Sequence, residues 1–525
     1  MMKTKQLFKS HLFSLAALFS IALTAVSCVN EDIAQNGKTG DNGKGFATFV
    51  ADVPAQTRTS VDYATGNFYW EEGDKIYVKD DDGTMQVSNT VDAAHAHSAS
   101  FKFKVPGKFG GSANYKVYYL GKNSSSNQVT IPTAQTQTTP NTTDHLGNSG
   151  DYGTATATGT LGGSVFSFQL EHQATYLVFQ PYTSNAVLKN CYLTKIEVNS
   201  DDDIAETYTI NSSTGNLNGS AGSKQIVLTT KDPVAGSTNE KGFSFTNATS
   251  ISTADKVYML IKPGAHTLKV RYWVKDYDTN VEGTITKVLP SFNYDKNTYY
   301  DMTANLNVRN YDGDKYYMWD AQQNYWAGHE WNKANPWQPV LNGQSNSNYA
   351  QNNSDPRYYN EAFTYGVDNK ATHTPCKDLP NVNEMTWYAA KGEPCWDADE
   401  LWTTMGHLYK GGMWFKKKAN ISGFNANTAV DGTDWRINHY TGSYSFSQTL
   451  PSVSDAGNYF YLPTFGYYCF GSTFQIGESG YYWSSSASSW DDRYAYYLHF
   501  GKYSGLEVNA GDFDRYYGLR VGGFE

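Results

Sequence analysis

From Phe46 onward the chain alternates short runs rich in β-branched and aromatic residues with clusters of Gly, Asn, Asp and Ser. Phe46 to Val50, Phe68 to Trp70, Lys75 to Val78, Tyr115 to Leu120, Val165 to Leu170 and Tyr176 to Phe179 form one series. Runs of that length and spacing predict strands of an all-β sandwich. A second series covers Leu193 to Val198, Glu206 to Ile210, Gln225 to Leu228, Lys256 to Ile261, Thr267 to Val274, Thr284 to Val288 and Tyr299 to Leu306. Within it, Thr267 to Val274 alternates apolar and polar positions as a half-buried strand does. At least one further sandwich is predicted there.

The pattern changes near Asn310. Asn383 to Lys391 and Asp399 to His407 predict two short helices, the second with Leu401, Met405 and Leu408 on one face behind an acidic first turn. Strands return at Gly480 to Trp483, Tyr494 to Phe500, Gly505 to Asn509 and Tyr517 to Val521, with long Asn-, Ser- and Gly-rich loops such as Asn342 to Asp355 between. This predicts a compact α+β unit over residues 316–525. Composition sharpens the boundary: of the 13 tryptophans, all but Trp70 and Trp273 lie between Trp319 and Trp490. The predicted fold class is therefore mainly β, ending in an α+β domain.

Charge narrows the partners. With 18% charged residues and a net charge of -10, the chain should repel nucleic acid. No run after residue 28 approaches the ~18 apolar residues of a spanning helix.

The N-terminus adds an address. Lys3, Lys5 and Lys9 precede an apolar stretch from Leu12 to Val26, too short to span a bilayer, and Ala25-Val26-Ser27-Cys28 follows. That ending resembles the box recognised by the bacterial lipoprotein signal peptidase. The resemblance implies removal of residues 1–27, acylation of Cys28 and attachment to the outer membrane through lipid, with 28–45 as a polar linker. Asn30, Glu31 and Asp32 resemble the acidic export signal of Bacteroidetes-type lipoproteins, implying the cell surface; a plain polar tether accounts for them equally.

Thr57-Arg58-Thr59-Ser60 and then Trp70-Glu71-Glu72-Gly73-Asp74-Lys75-Ile76 resemble the opening of fimbrillin-like proteins of Bacteroidetes. Leu170-Glu171-His172-Gln173-Ala174, Leu260-Ile261-Lys262-Pro263-Gly264 and Tyr299-Tyr300-Asp301-Met302 extend the likeness. It implies two tandem β-sandwich domains, 46–175 and 176–309, pilus subunits as partners through β-strand addition, and Arg58 as a candidate for proteolytic processing. Gly480-Tyr481-Tyr482-Trp483-Ser484-Ser485-Ser486, Ala495 to Phe500 and Gly518-Leu519-Arg520-Val521 are similar to the closing motif of the Fibrobacter major paralogous domains. That likeness implies a C-type-lectin-like architecture for residues 316–525 and leaves no C-terminal strand to donate.

Catalytic motifs are scarce. His329-Glu330-Trp331-Asn332-Lys333 begins like a zincin motif, but Lys333 stands where the second histidine is needed. No Gly-x-Ser-x-Gly elbow, Walker loop or zinc-type Cys spacing is present, and no enzymatic activity or cofactor is expected. Asp80-Asp81-Asp82 and Asp201-Asp202-Asp203 lack the spacing of a calcium loop, and Trp490-Asp491-Asp492 matches a lectin calcium motif only in part. Cys376 and Cys395 flank the first predicted helix, and their pairing stays open. Tyr481, Tyr482, Trp490, Tyr494, Tyr503, Tyr516 and Tyr517 cluster among Ser, Gly and Asp, the composition of recognition loops. They form the candidate face for a glycan or protein ligand. The sequence reading is thus a fimbrillin-type surface lipoprotein, either a pilus tip or accessory adhesin or a stand-alone receptor.

Overall fold

The computed structural model describes residues 45–51, 60–62, 67–122, 124, 127–211, 214–362, 370–451, 455–502 and 507–525. The fold is mainly β, with one α-helix among the described residues.

The first sheet runs Met85–Val87, Tyr77–Lys79, Asn114–Tyr119, Gly153–Gly159, Val165–Phe168, Phe46–Ala51 and Phe101–Pro106 in spatial order. Phe46–Ala51 sits inside it, parallel to Val165–Phe168 and antiparallel to Phe101–Pro106. Its alternation sends Ala47, Phe49 and Ala51 into a core with Trp70, Ile76, Phe103, Tyr119 and Phe166. The sheet curls until its edges meet: the Asn89 amide donates to the Lys104 carbonyl, and Asn89 Oδ1 accepts from the Lys104 amide.

The middle region stacks two sheets. One is Val257–Ile261, Thr175–Tyr182 and Thr298–Asn305; the other is Val281–Tyr294, Gly264–Asp276, Tyr192–Ser200, Gln225–Thr229 and Ala134–Thr136. Leu177, Phe179, Met259 and Ile261 meet Ile196, Val198, Val270 and Tyr272 in one core. Two strands cross into this region from earlier in the chain. Gln128–Ile131 pairs with Ala205–Ile210, and Ala134–Thr136 with Gln225–Thr229. The chain thus visits the middle region before completing the first sheet, a non-local pairing that composition does not signal.

In the last region, a four-stranded sheet of Arg309–Tyr311, Cys395–Thr404, His407–Lys416 and Tyr459–Pro463 packs with a larger sheet built around Ser479–Ala487, Tyr494–Gly501 and Glu507–Asp514. The helix Val382–Lys391 covers the larger sheet, with Val382, Met385, Tyr388 and Ala389 buried at helical spacing. Asn381 caps it, accepting from the Glu384 amide while Glu384 accepts from the Asn381 amide, and Gly392 closes it.

The second predicted helix is a strand. Residues 399–407 lie in the hairpin Cys395–Thr404 and His407–Lys416, turned by Met405 and Gly406 at φ of 48° and 82°. Asp397 Oδ1 accepts the amides of Asp399 and Glu400 at a bulge, which explains the acidic cluster without a helix. Leu401, Trp402, Thr403 and Thr404 are all buried, so both faces of the strand are covered and no polar alternation survives. Leu401 and Leu408 belong to the core of the middle region. The four described cysteines are free thiols, so Cys376 and Cys395 form no disulfide.

Candidate functional site

Strand alternation in the larger sheet sorts its aromatics onto two faces. Tyr482, Leu498 and Phe500 point into the core, whereas Tyr481, Trp483, Tyr497, His499 and Phe513 take the outer face. Part of that outer face is covered: Trp319, Cys376 and Leu379 pack over Trp483 and Leu519. The rest is an aromatic surface.

Its rings touch in sequence. Tyr467 and Tyr481 have centroids 4.7 Å apart, Tyr481 and Tyr497 6.0 Å, Tyr497 and Phe513 5.1 Å, and Phe513 and Tyr517 4.5 Å. His499 lies 4.5 Å from Tyr481. The hairpin Phe465–Cys469 and Ser472–Ile476 extends the surface with Phe474, 39% exposed and stacked on Tyr467, and with Phe470 at its tip, 57% exposed and stacked 5.2 Å from Tyr516. The tip needs Gly471: at φ 75° it lies against the Asn346 carbonyl, where a Cβ has no room. The Tyr481 hydroxyl donates to Gln475 Oε1 at 2.8 Å.

The titratable rings Tyr481, Tyr497 and His499 are themselves uncharged near neutral pH. Burial pushes the Tyr497 phenol up to about 12 and that of Tyr481 higher, and burial pulls the His499 imidazole down to about 4. Rigid, neutral rings held by a sheet suit the flat apolar face of a sugar or an apolar protein side chain, not an anion.

Of the seven sequence candidates, Tyr481, Tyr516 and Tyr517 belong to this surface. Tyr482 does not: it is 1% exposed and its hydroxyl donates to the Pro463 carbonyl at 2.6 Å, so it is a core residue. Trp490 and Tyr494 form a separate stacked pair, 6.0 Å apart, at the other end of the hairpin. The indole of Trp490 is 51% exposed, yet its Nε1 donates to Asp512 Oδ2 at 3.0 Å, the same oxygen that receives Ser488 Oγ and lies 3.2 Å from His439 Nε2. Cys28, Arg58 and Tyr503 lie outside the described residues. Sequence reasoning missed Tyr467, Phe470, Phe474, Tyr497, His499 and Phe513; their signal is aromatic alternation in adjacent strands, legible only once the strands are paired.

The acidic motifs are engaged elsewhere. Asp491 binds Arg493 through both oxygens, at 3.1 and 2.8 Å, and the guanidinium holds its carboxyl down to about 2. Asp80 accepts from the Thr84 amide and Gln86, Asp81 from the Tyr115 hydroxyl and the Gly111 amide, and Asp82 pairs with Lys108. Asp201 accepts from the Thr267 amide. Asp276, Asp278 and His407 bring ligand-type atoms within 4.8 Å of one another. Asp276, however, already accepts the amides of Asp278 and Thr279 on Oδ1 and that of Leu408 on Oδ2, which makes it a joint between regions.

No family model and no curated protein matches this chain. Among solved structures, similarity is found to a candidate cell adhesion protein from Bacteroides ovatus, 15% identical with a TM-score of 0.27, covering 45% of this chain and 83% of that one. The fimbrial anchor protein Mfa2 from Porphyromonas gingivalis is 11% identical with a TM-score of 0.24, covering 47% and 83%. The tip fimbrial protein Mfa3 from the same organism, with C-terminal truncation, is 9% identical with a TM-score of 0.25, covering 49% and 94%. At these scores the likenesses assign neither a family nor a residue correspondence, and the site is defined by its own geometry.

Proposed function

We propose that this protein is a cell-surface lipoprotein of the fimbrillin type that acts as a pilus tip or accessory adhesin, recognising a glycan or protein through its last domain. The observation that carries the reading is the contiguous aromatic face of half-buried rings around Tyr467, Tyr481, Tyr497, Phe513 and Tyr517, edged by the exposed rings of Phe470 and Phe474, since apolar surface left open in this way marks an interaction site. In this reading residues 316–525 form a C-type-lectin-like domain behind two sandwich domains, and Cys28 carries the lipid. Two features bear on strand exchange. The strand Phe46–Ala51 fills a slot between two others, which its removal would open. Leu519–Arg520 is paired on both sides, and Glu525 Oε1 accepts from the Tyr388 hydroxyl, so residues 519–525 are committed within their own domain.

The test presents the mature protein and its Tyr481→Ala/Tyr497→Ala variant to arrays of glycans and matrix proteins. Binding that the variant loses supports the reading; binding to nothing sinks it. Labelled palmitate incorporated by the wild type and not by Cys28→Ala checks the lipid. Purified protein that polymerises alone into homogeneous fibres would contradict the tip role. The second reading, a stand-alone surface receptor, gains if the lipid is retained in the assembled state.

A further inference from the structure

A cavity of about 330 Å³ lies between the strand Tyr459–Pro463 and the C-terminal residues, distinct from the aromatic face. Arg309, Tyr311, Trp414, Tyr461, Arg520 and Phe524 are among its walls, together with Glu525, whose carboxylate is engaged by the Tyr388 hydroxyl and by the amide and ammonium of Lys418. Arg520 is 7% exposed, and its guanidinium sits 4.1 Å from the ring of Phe465 and 5.9 Å from that of Tyr316. Nη1 donates to the Asp312 carbonyl. No described carboxylate is within salt-bridge distance, and Asp312 and Asp314 act on it only through space. A guanidinium carries five N–H donors, and burying one without an anionic partner is strongly unfavourable. The other donors of Arg520 have no described hydrogen-bond partner, and the residue lines the cavity.

The walls add selectivity. Arg309 is exposed at the mouth and packs on the Tyr311 ring at 4.7 Å, a second cation with no described carboxylate beside it. The Trp414 indole is fixed by its Nε1 bond to Asp397 Oδ2 at 3.1 Å. The hydroxyl of Tyr461 is buried without a hydrogen-bond partner. Two guanidinium groups beside ring faces fit a carboxylate mounted on a ring, because the planar fork meets both carboxylate oxygens while an aromatic wall meets the ring's apolar side. The volume falls at the small end of ligand pockets and matches one sugar ring.

We propose that this cavity is a second ligand site, for a sugar residue bearing a carboxylate. It is separate from the aromatic face and does not depend on that face binding anything.

The experiment titrates the full chain calorimetrically with D-glucuronic acid, D-galacturonic acid and N-acetylneuraminic acid, with D-glucose as the neutral match and N-acetylglycine as a carboxylate without a sugar ring. At least one acid should bind saturably and at least tenfold more tightly than glucose and N-acetylglycine. Arg309→Gln, a change at an exposed residue, should weaken it fivefold or more with an unchanged melting temperature. Arg520→Lys, which keeps the charge and loses the fork, should weaken it further. Absence of saturable binding by all three acids, or binding that Arg309→Gln leaves untouched, overturns the proposal. Equal binding of N-acetylglycine overturns the assignment to a sugar.

Discussion

The rings of Tyr481 and Tyr497 lie 6.0 Å apart and 3° from parallel, set diagonally across the strands Ser479–Ala487 and Tyr494–Gly501. Such a pair is rigid before any ligand arrives, so little side-chain entropy is lost on binding. Tyr481→Ala or Tyr497→Ala should each lower affinity for the ligand of this face about tenfold, equivalent to about 1.4 kcal/mol. Calorimetry of binding and thermal melting on the same samples should show the affinity change outweighing the stability change.

Tyr482, one residue from Tyr481, should behave in the opposite way. Tyr482→Ala removes a fully buried ring and a hydrogen bond to Pro463, and should cost about 3 to 5 kcal/mol in denaturant unfolding. Tyr482→Phe should cost about 1 to 2 kcal/mol and leave binding intact.

Phe46–Ala51 is held by hydrogen bonds to a strand on either side and by the buried ring of Phe49. Protein trimmed to begin after Ala51 should bind a synthetic peptide of residues 46–51 and recover its melting temperature. A trimmed protein that ignores the peptide would argue against strand acceptance.

Burial pulls both His145 and His499 down to about 4 from an ordinary value of 6.5. Between those values the unfolded chain binds more protons than the folded one, so stability rises with pH across that window and is lost as pH falls through it. Below about 4 both states are protonated and the contribution is flat. Each imidazole should account for about 2 kcal/mol once the partial solvent access of both rings is allowed for. Urea unfolding at pH 7 and pH 4.5 should show the loss, and His499→Gln should reduce it.

Leu401 and Leu408 plug the last region into the core of the middle one, and the Leu408 amide donates to Asp276 Oδ2 at 2.9 Å. Leu408→Ala should cost about 2 to 5 kcal/mol and split a single calorimetric transition into two. A single unshifted transition would show that the two regions do not depend on this joint.

Local pattern determined a good deal of this molecule. The helix expected at Asn383 to Lys391 is found at Val382–Lys391, and most strands coincide with short β-branched and aromatic runs between turn residues, because backbone geometry acts over a few positions. The aromatic wealth of the last region was equally plain. Tertiary structure alone decided the pairing of Gln128–Ile131 and Ala134–Thr136 with strands about 80 and 90 residues later, since hydrogen-bonded ladders join segments with no local mark of their partners. It also decided that Asp399 to His407 is a strand and turn, because burial on both faces erases the alternation that separates strand from helix. Above all it divided Tyr481 from Tyr482. Adjacent residues on a strand point to opposite faces, and only the covering of one face by Val382–Lys391 and its core makes Tyr482 structural and puts Tyr481 on the opposite, half-buried aromatic face.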